Sequence, residues 1–382
     1  MVAGEASGDR HAAGLVREAQ GLDPRLEFDG IGGDELARAG TRLYHHARDL
    51  SVVGIAEVFE RAPALWRAMR EIKRQLAVRR PAALLLVDFP DFNLHLAGYA
   101  RRLGIPVVYF VSPQVWAWRR RRIAVIRRRV THMIVLFPFE AEYYREQGVP
   151  VTFAGHPLAD VSGRAEPVGV ARQRLGLAAG APVFGLLPGS RPGEVRQHLD
   201  PMLATARTVL ERQGGAVFLI PVADNLDPSM IEEAAARSGL PVVALQGAFD
   251  ALVAACDAAV CASGTATLEL AVRDVPPVVV YRTARSTYWI GRIAVRVPHI
   301  SLVNLIAGRG IVPELIQDAF TPRRAAAELL AIGSPGPARE AALAGLAEVR
   351  QKLGPPGAYR RAAEALLGVL DGPAPRGGES GR

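Results

Sequence analysis

The chain of 382 residues predicts an α/β protein built from two doubly wound domains with a cleft between them. Three observations lead there. Short, near-continuous Val/Leu/Ile runs alternate with helical stretches, as in parallel sheets covered on both faces. The alternation lapses once, over Val161 to Val170, where glycine, proline and charged residues read as a linker. Two glycine-bearing turns, one in each of two successive βαβ stretches after that linker, run from a buried strand into a helix.

In the first half, Ala83–Val87 is a strand, followed by a helix over Leu94–Leu103. Pro106–Phe110 is a strand, then Arg119–Arg129 a basic helix. Met133–Leu136, a helix over Phe139–Gln147 and Val151–Ala154 complete the set. A second series starts at Val183 and continues through Ala216–Ile220, Val242–Ala244, Ala258–Cys261 and Pro277–Tyr281, the last strand expected. The domain limits follow as 1–160 and 161–345, with helices over 346–370 and a Gly/Pro-rich, disordered tail over 371–382.

Composition narrows the function. Hydrophobic residues are 49% and charged residues 22%, which is globular. The net charge is +8 and almost wholly arginine, since Lys73 and Lys352 are the only lysines. A GC-rich coding sequence gives the same bias, so basicity alone does not argue for nucleic acid; phosphorylated substrates or an anionic membrane surface use the same charge. Cys256 and Cys261 flank an apolar strand and imply no disulfide framework, pointing to a reducing cytoplasm. No signal peptide and no membrane-spanning helix are expected: the uncharged run Leu103 to Trp118, which no other run exceeds in length, is broken by Pro106 and Pro113. Walker A, Gly-x-Gly-x-x-Gly, His-Glu-x-x-His, Gly-x-Ser-x-Gly and Asp-x-Asp patterns are all missing, so no metal and no cofactor are expected.

The candidate site residues sit where strands end. Pro188-Gly189-Ser190-Arg191 follows one buried strand, and a helix begins near Gly193-Glu194. Gly189 permits the tight bend, the helix start favours negative charge, and the planar Arg191 cation can fork onto phosphate oxygens. Ser263-Gly264-Thr265-Ala266-Thr267 opens a helix after Cys256–Cys261, with Glu269 one turn in. Two such turns on one sheet suit a nucleoside diphosphate. In the first half, Gly4-Glu5-Ala6-Ser7-Gly8-Asp9 opens a helix, either as a ligand-facing turn or as an N-cap through Ser7 or Asp9. Asp88 leaves the end of a buried strand in Val87-Asp88-Phe89-Pro90-Asp91-Phe92-Asn93, where a carboxylate can take a proton from a hydroxyl or serve structure alone. Asp91 is a second carboxylate there, or the cap of the next helix, a role Asn93 can share. Ser112 to Trp118 carries Trp116 and Trp118 beside arginines, facing a sugar, an acyl chain or a membrane, or simply the core. Leu50–Phe59 is apolar enough to dock on a bilayer, whereas Leu65, Met69, Ile72 and Leu76 read as an ordinary helix stripe. Asn304 and Glu314 follow the last expected strand; Glu314 can accept ribose hydroxyls or merely start a helix. His156, in Gly155-His156-Pro157, reads as a satisfied loop histidine.

Seven of these blocks, GEASGD, VDFPDFN, SPQVWAW, GHP, LLPGSR with Glu194, SGTATLE and NLIAGRGIVPELIQ, stand in the order found in the lipid-A-disaccharide synthase family, which the chain resembles from Val2 to about Gln317. The resemblance implies two Rossmann-like domains of the GT-B type, an acceptor domain followed by a UDP-sugar domain. It implies a metal-independent, inverting transfer of 2,3-diacylglucosamine from its UDP ester to 2,3-diacylglucosamine 1-phosphate, on the cytoplasmic face of the inner membrane. Asp88 would then be the general base. Gly189, Ser190, Arg191, Glu194, Ser263, Gly264, Thr265, Thr267, Glu269, Asn304 and Glu314 would hold UDP. Glu5, Ser7, Asp9, Asp91, Asn93 and Trp116 would line the acceptor side. The alternatives in the same fold are a UDP-N-acetylglucosamine epimerase or a cell-wall lipid-intermediate transferase; a basic nucleic-acid binder is the alternative of another class. Family members carry a longer strand before GEASGD than Met1-Val2-Ala3. A shortened central strand predicts unpaired neighbours at about 1–3 kcal/mol per buried group and a natural start further upstream.

Overall fold

The computed structural model describes residues 1–50, 55–113, 115, 122–161, 163, 165–178, 180–283 and 298–372, without the side chains of 6 and 55–62. Trp116, Trp118, the start of the basic helix, residues 51–54 of the Leu50–Phe59 loop and nearly all of the tail lie outside the described residues; from Ile55 that expected loop is instead the start of the helix Ile55–Arg79. The chain divides into two compact units, Met1–Pro157 with Gly354–Arg382, and Leu158–Leu353.

The first unit holds seven parallel strands: β1 (Val2–Ala3), β2 (Asp29–Gly32), β3 (Arg42–His46), β4 (Leu84–Val87), β5 (Val107–Phe110), β6 (His132–Val135) and β7 (Val151–Phe153). They lie in the order β3-β2-β1-β4-β5-β6-β7. Two-residue periodicity divides their side chains between two apolar layers. Leu84, Leu86, Tyr109 and Met133 enter one layer; Leu85, Val87, Phe110 and Ile134 enter the other. Short as it is, β1 pairs on both sides, Val2 with Ile31 of β2 and Val2 and Ala3 with Leu86 and Val87 of β4. Gly30 makes that approach possible. Its φ is +150°, and a Cβ there would stand 1.8 Å from the Met1 carbonyl oxygen. The last helix, Ala358–Leu370, belongs to this unit and packs through Ala362, Ala363 and Leu366 against the layer that includes Leu15 and Phe110. Gly14 accepts the Tyr359 ring, which a Cβ would meet at 2.6 Å.

The second unit holds β8 (Val183–Leu187), β9 (Val217–Val222), β10 (Val242–Gln246), β11 (Ala258–Ala262), β12 (Pro277–Tyr281) and β13 (Glu314–Ile316), all parallel. The order is β10-β9-β8-β11-β12-β13. β13 corrects the expectation that β12 is the last strand. Its three residues follow a proline and are too few to show a period, yet Leu315 pairs with Val280 in the sheet. β2 and β3 likewise carry no strand pattern of their own, one being Gly-rich and the other polar.

Both sheets are doubly wound, and each reverses direction beside its first strand: between β1 and β4, and between β8 and β11. In such sheets ligands bind at the carboxyl ends of the strands next to the reversal. Those four strand ends carry the Gly4–Asp9, Asp88, Gly189–Arg191 and Ser263–Thr265 turns.

Candidate functional site

At the first reversal, β4 ends by turning left-handed. Asp88 has φ 49° and Phe89 has φ 46°, and at the adjacent end of β5 Val111 has φ 59°. Non-glycine residues pay about 1–3 kcal/mol each for such backbone, and a β-branched one is rarer still. The turn is held from below. The Tyr109 hydroxyl donates to the Asp88 carbonyl oxygen at 2.5 Å, and Asn93 Nδ2 donates to the same oxygen at 2.7 Å and to that of Val87 at 3.2 Å. Tyr109 and Asn93 are both fully buried, and burial raises the Tyr109 phenol well above its ordinary range, so it remains a donor.

The Gly4–Asp9 turn closes over this floor. A Cβ on Gly4 would strike the Phe89 ring at 2.4 Å, and one on Gly8 would lie 3.5 Å from Asp88 Cβ. Glycine at both positions lets the start of helix Ala6–Leu22 sit directly beside Asp88. Glu5 occupies the N-cap position without capping through its side chain, and Ser7 is exposed. Asp9 points elsewhere. Its buried carboxylate accepts the main-chain N–H groups of Gly33 (2.6 Å), Glu35 (3.0 Å) and Leu36 (3.3 Å), anchoring the turn after β2. The two aspartates of the motif differ sharply. Asp88 is half-buried at the strand end, while Asp91 is 77% exposed and paired with Arg122.

The second unit meets its own reversal differently. Gly189 turns with φ +116°, and a Cβ there would lie 2.5 Å from Glu194 Oε2. That oxygen accepts the N–H groups of Ser190 at 3.2 Å and Arg191 at 3.3 Å, and Oε1 receives the Arg191 guanidinium at 3.1 Å. A carboxylate of the protein therefore sits where the sequence predicts an anion, while Arg191 stays 63% exposed. Two residues that sequence reasoning passed over complete the turn. Asn225 Nδ2 donates to the Ser190 carbonyl at 2.9 Å. His198, buried in helix Pro192–Arg212, lies 2.8 Å through Nδ1 from the Glu194 carbonyl and 3.2 Å from that of Pro188, and Nε2 accepts the Arg282 N–H at 2.9 Å. Desolvation lowers its pKa, which keeps the ring neutral and able to donate on one side and accept on the other. The spacing of His198 from Gly189 gave no signal, because its partner on β12's end is 84 residues away.

At β11's end, Gly264 and Thr265 are exposed and Ser263 is half-buried, its hydroxyl donating to Ile300 at 3.3 Å. Thr267 is buried and donates to the Gly264 carbonyl at 2.7 Å; Glu269 lies 3.8 Å from Arg273. Glu314 and Asn304 form a knot. Glu314 accepts from the Ile300 and Ser301 N–H groups, the Ser301 hydroxyl and Asn304 Nδ2, all within 3.1 Å. Asn304 Oδ1 in turn accepts from Ile311 and Val312. The structure thus brings Asp88, Asn93, Gly4 and Gly8 together in one unit and Gly189, Ser190, Arg191 and Glu194 together in the other.

Among known proteins, the lipid-A-disaccharide synthetase family model matches residues 1–363. The lipid-A-disaccharide synthase of Myxococcus xanthus is 44% identical over 370 residues, covering 97% of both chains. That of Anaeromyxobacter dehalogenans is 45% identical over 371 residues with the same coverage. Two solved structures share the fold: a UDP-N-acetylglucosamine 2-epimerase from Listeria monocytogenes (TM-score 0.60, 13% identity, 96% and 94% of the chains) and one from Neisseria meningitidis bound to UDP-GlcNAc (TM-score 0.54, 11% identity, 94% and 97%). Their identity is too low to bear on more than the fold. By the whole-length match and these relatives, the chain belongs to the lipid-A-disaccharide synthetase family of glycosyltransferases.

Proposed function

We propose that the protein transfers 2,3-diacylglucosamine from UDP-2,3-diacylglucosamine to 2,3-diacylglucosamine 1-phosphate, giving the β-1,6-linked disaccharide 1-phosphate and UDP. Family membership supports the substrates. The observation that carries the mechanism is a half-buried Asp88 fixed at the end of β4 by two buried donors to its carbonyl. In this reading the Asp88 carboxylate takes the proton of the acceptor 6-hydroxyl as that oxygen attacks the anomeric carbon. The bond to the diphosphate breaks, its electron pair leaves with UDP, and the configuration inverts in one step. Asp91, exposed and paired with Arg122, is the weaker base.

Arg191 meets the charge that gathers on the leaving diphosphate, in place of a metal. Gly189, Ser190, Glu194, Ser263, Gly264, Thr265, Thr267 and Glu269 shape the donor side, with Asn304 and Glu314 supporting the rim from behind. Glu5 and Ser7 face the acceptor, Asp9 and Asn93 act as scaffold, and Trp116 is assigned to the acceptor by resemblance alone. No helix among the described residues is long and apolar enough to cross a membrane. We place the protein at the cytoplasmic face of the inner membrane as a peripheral enzyme; the exposed Trp66 beside Arg70 supports this. The test is incubation with both substrates and mass spectrometry of the lipid. A disaccharide 1-phosphate with stoichiometric UDP is expected; an epimerised UDP-sugar or no lipid product overturns the proposal.

A further inference from the structure

Asp88 stands on a backbone that its own sequence disfavours, and two buried side chains from different elements converge on it. Tyr109 comes from β5 and Asn93 from the helix Pro90–Arg102, and both donate to one carbonyl oxygen, at 2.5 and 2.7 Å. The Asn93 amide is fixed in orientation, because turning it over would set Oδ1 against the carbonyl oxygens of Val87 and Asp88. In that orientation Oδ1 is buried and has no hydrogen-bond partner among the described residues. A left-handed Asp–Phe pair braced by two buried donors marks a site where geometry matters more than local backbone preference. The two bonds hold the Asp88–Phe89 peptide in one orientation and so favour the left-handed backbone from which the Asp88 Cα–Cβ bond projects.

We infer that Tyr109 and Asn93 are positioning residues, which clamp the Asp88 carbonyl and so aim its carboxylate at the acceptor hydroxyl. The inference rests on the reading of Asp88 as the base. It predicts that losing one clamp bond lowers turnover without weakening substrate binding, since small misplacements of a reacting group fall mainly on the chemical step.

The test uses the full-length protein and both lipid substrates. Tyr109→Phe keeps the ring and removes only the hydroxyl. Its kcat is expected to fall about tenfold, with KM for each substrate and the Kd for UDP within about twofold. Thr152→Val, which removes the 2.8 Å bond to His132 on neighbouring strands of the same unit, is the control for simple destabilisation. It should lower Tm comparably while keeping kcat within about twofold. Asp88→Asn separates the two readings. If Asp88→Asn is inactive and Tyr109→Phe turns over at the unmodified rate, the clamp is refuted and the base stands. If Tyr109→Phe and Thr152→Val lose activity alike, Tyr109 is structural and the inference is overturned. Full turnover in Asp88→Asn overturns both.

Discussion

The two sheets share one strand order around their reversal points, yet the turns at those points are built on opposite principles. In the first unit the turn after β4 uses non-glycine residues in left-handed backbone and is braced by buried side chains. In the second unit the turn after β8 uses glycine where φ is positive, and the protein's own Glu194 carboxylate fills the seat between the Ser190 and Arg191 N–H groups. The first arrangement stores strain to fix one carboxylate. The second is relaxed and already satisfied before any ligand arrives. On the proposed function the difference has a use: a base must be held in one place, whereas a diphosphate seat must close again once UDP has left.

The largest expected effect breaks the strained half. Asp88→Asn should lower kcat by about 10²–10⁴, the range of a lost general base, while UDP affinity measured by calorimetry stays within about twofold. A comparable loss of UDP binding would move Asp88 out of the chemistry and into the donor seat.

Acid sharpens the contrast by loading the first unit. His156 is buried and His11 lies half-buried beside it, His11 also bonding Tyr359 at 3.1 Å. Burial, helped by Arg10, lowers His11 to about 4, and burial, helped by His11, lowers His156 to about 3. The unfolded chain binds these protons near pH 6.5 and the folded chain does not, so stability is complete above that pH and is lost as pH falls towards 4 and 3. By pH 4.5 each ring should remove about 2–3 kcal/mol. Denaturant unfolding of His11→Phe with His156→Phe should show a flatter acid slope than the unmodified chain; an identical slope would refute the assignment.

The relaxed half is tested by charge. Arg191→Ala should weaken UDP binding about tenfold, as expected for a partly exposed charge-assisted contact. Unchanged affinity would place the diphosphate elsewhere. Glu194→Gln keeps an oxygen for the turn and removes a negative charge from the seat. It should tighten UDP binding by about three- to fivefold and make it more salt-dependent. Weaker binding instead would mean that Glu194 contacts the nucleotide directly.

These contrasts were only partly legible in the sequence. The buried strands declared themselves through runs such as Leu84–Val87 and Val278–Val280, and the turns through glycine and proline next to polar residues. β2, β3 and β13 escaped because Asp-Gly-Ile-Gly, Arg-Leu-Tyr-His-His and Glu-Leu-Ile are strands by virtue of their neighbours rather than their own pattern. The same holds at the site. That Asp88 ends β4 follows from local order, but that Tyr109 reaches its carbonyl from the next strand depends on register. Asp9 and Glu314 read as ligand-facing acids in one dimension. In three, Asp9 is bound by N–H groups more than twenty residues away, and Glu314 by Ser301 and Asn304. A carboxylate's partners are set by topology, which no spacing rule records.

The helix Ala358–Leu370 has a consequence for how the chain is made. Leu15, Phe110 and Ile134 share a layer with Leu366, and His11 meets Tyr359 across 348 positions of sequence. During synthesis the earlier-made unit therefore waits with an oily flank uncovered until after residue 366 has left the ribosome, while Leu158–Leu353, begun later, has all of its own segments in hand first. The portion translated first is the one finished last, and its nascent form is where a chaperone would find something to hold.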